Sequence, residues 1–275
     1  MNAEGWGAGT IGGSTIWVAL GLGGCAGGVP LMHPAHVLPE GHVRFAGGSV
    51  ANFVLGNART AIDQASLEAT SAAVDRPSET YARGALALAS MAPGMSPLLA
   101  ARVGLAWVSE GGLTYTGRLV RVDARKALEW DSTALSVGIG GSAVLSCRGA
   151  GSDATLDGLN IEAASGWGAD VPVVFGWRSA ADVVWWWGGV RGGYEHLRGQ
   201  VALERQAPSE PLEGDIDGSR TSVTALTGLA LGFRYVHAAI EVQGGYQYAA
   251  GTLWDQDVSV SGFTLAPSAA LLGRF

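Results

Sequence analysis

Along residues 237–249, HAAIEVQGGYQYA, polarity changes at nearly every step. Ala238, Ile240, Val242, Gly244, Tyr246 and Tyr248 form one set, and Ala239, Glu241, Gln243, Gly245, Gln247 and Ala249 the other. Successive strand side chains point to opposite faces, so this is a strand with one apolar and one polar face. The same period governs 221–235, where Val223, Ala225, Leu229, Leu231 and Phe233 alternate with Ser222, Thr224, Gly228, Gly232 and Arg234. It governs 135–147 and 119–126 as well, and noisier runs lie near 42–54, 98–108, 111–117, 171–178, 183–199 and 258–275. Counted by period two, the chain predicts about ten strands.

Residues 55–96 break the pattern. ARTAIDQASLEATSAAV and SETYARGALALASM are Ala-rich, with Asp63 and Ser78 placed as N-caps. They predict two short helices inserted between the first and second strands, as a cap over the mouth of a barrel or a plug in its lumen; an irregular loop is the alternative.

The connections fall into two kinds. WVSEG, LEWDS, RSAAD and RYVH are short, whereas RGAGSDATLDGLNIEAASGWGAD and VALERQAPSEPLEGDIDGSR are long and polar, with GTLWDQD shorter on the same side. Short turns at one end and long loops at the other are the pattern of an outer-membrane barrel. TYTGRLV is a tight turn on the long-loop side and departs from it.

Composition decides which face meets which solvent. Only 15% of residues are charged, against ~25% in a typical soluble domain, while the chain holds 43 Gly and 10 Trp. Mean hydropathy is +0.23, yet beyond the N-terminus no run reaches the ~18 apolar residues of a spanning helix. That combination leaves the closed β-barrel as the membrane architecture. The polar faces carry Arg102, Arg121, Asp123, Arg125, Arg178, Arg191, Glu195, Arg234, Glu241, Gln243 and Gln247, too polar for a protein core. Glycines interleave with them, as a narrow interior requires. Tyr194, Trp186, Phe233, Tyr235, Tyr246 and Tyr248 fall toward strand ends, where interfacial aromatic girdles belong. The apolar faces are therefore expected outside, against lipid, and the listed polar residues inside.

Three other segments carry signals. STIWVALGLGG, residues 14–24, has the form of a signal-peptide apolar core, and LGGC, ending at Cys25, resembles the bacterial lipobox, although no Lys or Arg precedes it. That resemblance implies a lipoprotein-type signal peptide over 1–24 and acylation of Cys25. Residues 25–41, with Pro and Gly and no clear periodicity, then read as a periplasmic linker. Cys147 stands apart; a single disulfide with Cys25, or two idle thiols, is the plainer reading. The chain finishes APSAALLGRF, with Phe275 last and Leu271, Ala269 and Leu265 at alternate positions before it. This resembles the final strand of bacterial outer-membrane barrels and implies recognition by the barrel-assembly machinery through Leu271 and Phe275; Gly273 departs, where that family often has an aromatic residue.

Candidate chemistry is sparse. No His has the base-plus-orienting-partner setting of a catalytic site; the two His of HPAH, residues 33–36, lack a Cys or carboxylate cluster for a metal. A net charge of −7 without a basic stripe argues against nucleic acid. Within WWW, residues 185–187, only Trp185 and Trp187 can share a face. The Gly-rich stretches lack the context of a phosphate loop.

The reading is an all-β, transmembrane, antiparallel up-and-down barrel over 42–275, in the outer membrane of a Gram-negative bacterium. It would be non-enzymatic, surface-structural or a narrow or plugged channel, with lipid as its neighbour and no cofactor or metal. A barrel enzyme acting on lipid or peptide, and a soluble secreted β-sandwich that binds a ligand, are the alternatives. Asp123, Glu195 and Glu241 are too few to pair every inward Arg, so water, backbone carbonyls or the 55–96 segment must supply other acceptors.

Overall fold

The computed structural model describes residues 27–71, 77–145, 156, 159–203 and 212–275. Cys25, Cys147 and the signal-peptide segment lie outside them.

Among the described residues ten strands follow one another: β1 Val43–Leu55, β2 Gly94–Leu105, β3 Ser109–Tyr115, β4 Leu119–Trp130, β5 Thr133–Val144, β6 Leu159–Arg178, β7 Val184–Leu203, β8 Leu212–Phe233, β9 Val236–Leu253 and β10 Gln256–Arg274. Each pairs antiparallel with its sequence neighbours, and β1 pairs with both β2 and β10, so the strand order returns on itself without a free edge. Helices α1 Asn57–Ser71 and α2 Glu79–Met91 lie between β1 and β2. Ser78 caps α2 by accepting a hydrogen bond from Tyr81 N. Asp63 is not a cap; it lies inside α1, paired with Arg59 one turn earlier.

The expected long loops are shorter than their polarity suggests. Residues 159–170 and 212–220, read as loop, are strand in β6 and β8. Two-residue turns close the β4–β5, β8–β9 and β9–β10 hairpins, with Asp131, Arg234, Trp254 and Asp255 at positive φ. The connections 106–108, 131–132, 179–183 and 234–235 share one end of the barrel with the start of β1 and the end of β10. The helices lie at the other end.

Alternation fixes the faces. Ile240 is 57% exposed and its neighbour Glu241 1%. The exposed set is apolar over most of the barrel: Val122, Val137, Ile139, Val171, Val190, Val223, Ile240 and Leu265. Aromatic residues bracket this band. Phe45, Trp130, Trp177, Trp186, Phe233, Tyr235 and Phe275 lie toward the short-turn end, and Phe53, Tyr115, Trp167, Tyr194, Tyr246, Tyr248 and Phe263 toward the helix end. Several touch across strands, including Trp167 with Tyr194 and Tyr246 with Phe263.

Beyond Trp167 and Tyr194, strands β6 to β8 continue and the faces exchange character. Outward positions become charged, with Arg198 paired to Asp217. Inward positions become apolar: Leu197, Val201, Leu203 and Ile216 pack with Tyr81, Leu86 and Met91 of α2 and with Ile62 of α1. The helix pair therefore closes that end from within, largely against β10 and β9.

Residues 27–38 do not form an external linker. Gly28 to Leu38 are buried, and their backbone is bonded to side chains on the inward faces of several strands. The segment runs through the lumen, from Gly27, whose N–H donates to Ala92 O beside the end of α2, to Leu38 near β2 and β3.

Candidate functional site

The barrel interior is the site, and its geometry follows from the polar side chains buried there. At the level of β2 to β7 the arginines and carboxylates form one network. Arg102 pairs with Glu110 and, through Nη2, with Asp123 at 2.5 Å. Arg121 meets Asp170 through two parallel bonds of 2.7 and 2.8 Å and Asp123 at 2.5 Å. Arg125 reaches Glu110 at 3.1 Å, and Arg191 reaches Asp170 at 2.9 Å. The guanidiniums of Arg102 and Arg121 lie flat over Gly112 and Gly140 on adjacent strands. A Cβ there would come within 2.6 and 2.5 Å of them; these glycines are the room in which the arginines lie. Nearer the helix end, Glu195 bridges Arg118 at 3.1 Å and Arg220 at 2.8 Å, and Gln247 accepts from Arg220 and donates to Thr264.

The threaded segment completes this network. Its carbonyls accept from arginines: Val29 O from Arg191 at 2.7 Å, Pro34 O and His36 O from Arg125 at 2.6 and 3.2 Å. Its N–H groups donate to carboxylates. Leu31 and Met32 donate to Glu241 at 2.8 and 2.9 Å, Val37 to Glu129 at 2.9 Å and Leu38 to Glu110 at 2.9 Å. Glu241 also accepts from Trp187 Nε1 and Gln243, each at 2.8 Å. A Gly- and Pro-bearing segment with no ladder of its own thus has its backbone groups satisfied from the walls, as burial demands. His33 is enclosed beside this network.

Of the polar residues expected inside, Arg102, Arg121, Asp123, Arg125, Arg191, Glu195, Glu241, Gln243 and Gln247 are placed in this network. Arg178 lines the mouth at the short-turn end. Arg234 is a correction: it is exposed in the β8–β9 turn, its guanidinium 5.1 Å from the Phe233 ring centre, because β8 ends one residue before it. Sequence reasoning missed Arg44, Glu110, Arg118, Asp170 and Arg220. Asp170 and Arg220 fell in segments read as loop, and Glu110 in a turn read over 107–111 where the chain turns at 106–108; extending the alternation through those stretches would have found them. The acceptors thought to be lacking are Glu110, Asp170 and the carbonyls of 27–38; none of the arginine contacts described here comes from 55–96.

Within WWW, Trp185 and Trp187 face inward and Trp186 outward. Trp185 stacks on His237, with ring centres 3.8 Å apart. His196 lies beside Trp167, 3.7 Å from Asp217. Among the described residues no cluster of His, Cys, Asp or Glu could hold a metal.

No protein-family model and no curated protein sequence matches this chain. Solved structures that resemble it include Neisserial surface protein A, with a TM-score of 0.30 at 9% identity, covering 85% of this chain and 96% of that one. Ail, the attachment invasion locus protein of Yersinia pestis, gives 0.31 at 12% identity, covering 86% and 99%. The CymD monoaromatic hydrocarbon channel gives 0.26 at 8% identity, covering 86% and 89%. At these values the likeness carries no function across.

Proposed function

We propose that this chain is an integral outer-membrane barrel with an occluded lumen, serving as a surface-structural element and not as an open pore. Support for membrane residence comes from the outward apolar band. Between Trp186 and Tyr194 strand β7 climbs ~21 Å, at ~3.4 Å per residue and a tilt of ~40°, close to the ~25 Å apolar band of such barrels. The outward face turns charged just beyond Tyr194. By the usual rule the short turns face the periplasm and the helices the exterior. Leu271 and Phe275, 63% and 67% exposed on the last strand, are the groups offered to the assembly machinery.

Occlusion rests on one observation, the passage of residues 27–38 through the lumen with their backbone bonded to its walls. Conductance in planar bilayers tests it. Intact protein should conduct little or nothing, and deletion of residues 27–38 should raise conductance in a background that also lacks 57–92, whose helices close one end. A large steady pore in the intact protein overturns the reading.

The lipobox reading of Cys25 competes with this proposal: two residues span at most ~7 Å, so acyl chains on Cys25 seated in a bilayer would draw residues 27–38 out of the lumen, and acylation and occlusion exclude one another.

A further inference from the structure

Among the described residues every carboxylate of the lumen is committed, and one buried arginine pairs with none of them. Glu110 serves Arg102, Arg125 and Leu38 N; Asp123 and Asp170 serve Arg102, Arg121 and Arg191; Glu195 serves Arg118 and Arg220; Glu241 holds the threaded backbone. Arg44, 4% exposed, has Nε and Nη1 buried without any hydrogen-bond partner. Its guanidinium lies 5.5 Å from the Trp185 ring centre, a weak substitute for an acceptor. An unpaired buried guanidinium is costly and marks a place where an anion belongs.

Arg44 lines a cavity of about 320 Å³ at the short-turn end, at the lower limit of small-molecule sites. Both ring nitrogens of His36, on the same wall, are also buried without partners. Arg178 adds a second cation. The nearby acids are occupied or peripheral: Asp182 pairs with Arg274 at 2.6 Å and accepts from Trp185 Nε1, Glu129 accepts from Val37 N, and Glu40 is exposed. The rest of the lining is apolar, with Val37 and Leu38 on one side and Leu105 and Val108 forming an exposed lip.

We infer that this vestibule binds a small amphiphilic anion, its carboxylate on Arg44 and its apolar body against Leu38, Leu105 and Val108. A bare oxyanion would leave the lip exposed, and a neutral amphiphile would leave Arg44 unpaired. Neither satisfies the site.

Equilibrium dialysis of the full chain in one detergent, with hexanoate, hexanol and inorganic phosphate as probes, decides the matter. Hexanoate should bind saturably, with hexanol and phosphate at least tenfold weaker. Arg44→Gln should weaken hexanoate at least tenfold, whereas Arg44→Lys should stay within a few-fold of wild type. Val108→Asp, on an exposed turn where folding is not at stake, should also weaken it several-fold. Phosphate binding as tightly as hexanoate overturns the amphiphilic class. Absence of saturable hexanoate binding, or equal binding by a folded Arg44→Gln protein, overturns the site.

Discussion

Replacing Glu241 by alanine should release the segment threaded through the lumen. The Glu241 carboxyl accepts four hydrogen bonds, and two of them, from Leu31 N at 2.8 Å and Met32 N at 2.9 Å, exist only while the segment is docked. The others, from Trp187 Nε1 and Gln243, come from the wall, where water can replace the carboxylate once the segment leaves. A buried donor left without its acceptor costs ~1–3 kcal/mol, so the two docking contacts together amount to ~2–6 kcal/mol. At ~1.4 kcal/mol per factor of ten, docking should weaken by ~30- to 10⁴-fold. The assay is thiol labelling. In a Cys25→Ser, Cys147→Ser background, a cysteine replacing Met32, which is 2% exposed, should resist a polar maleimide in otherwise wild-type protein. Adding Glu241→Ala should accelerate its labelling by ~30-fold or more at that rate of exchange, while heat-modifiable migration shows that the barrel itself persists. Acceleration below ~10-fold would refute the view that Glu241 anchors the segment.

Three other outcomes are expected. Ile240→Arg, mid-band on the outward face, should cost ~2–4 kcal/mol of barrel stability in liposomes, whereas Gln243→Ala on the inward face should cost ~1 kcal/mol; equal costs in a denaturant titration would mean that the faces are reversed. Asp170→Asn removes the charge that faces Arg121 and Arg191 and should cost ~3–5 kcal/mol, read as a lower unfolding midpoint; an unchanged midpoint would show that other acceptors take over. Mass spectrometry of the exported protein decides between occlusion and the lipobox: with residues 27–38 docked Cys25 should carry no acyl chain, and acyl labelling that Cys25→Ser abolishes would establish the lipobox and overturn the docked segment.

Much of the barrel was legible because a strand writes its environment into adjacent residues. Ile240 beside Glu241, or Val122 beside Asp123, declares two environments at adjacent positions, and turns such as Asp131–Ser132 bound the runs. Arg102, Arg121 and Glu241 could be placed inward on that basis alone. Alternation fades where both faces become polar or Gly-rich, which is why Asp170 and Arg220 were read as loop although the register carries β6 and β8 straight through them.

What parity could not carry was decided by contacts between residues far apart in the chain. Residues 27–38 have no periodicity because their partners are not one another but Glu110, Glu129, Arg125, Arg191 and Glu241, brought together only when the strands close. The exchange of faces beyond Tyr194 is likewise invisible locally, since Leu197 and Ile216 are inward and apolar only because α1 and α2 stand opposite them. The sequence by itself determined which side of each strand shuns water. Only the tertiary structure decided what fills the inside, because hydrogen bonds and ion pairs across a lumen depend on where separate strands come to lie, and no stretch of neighbouring residues records that.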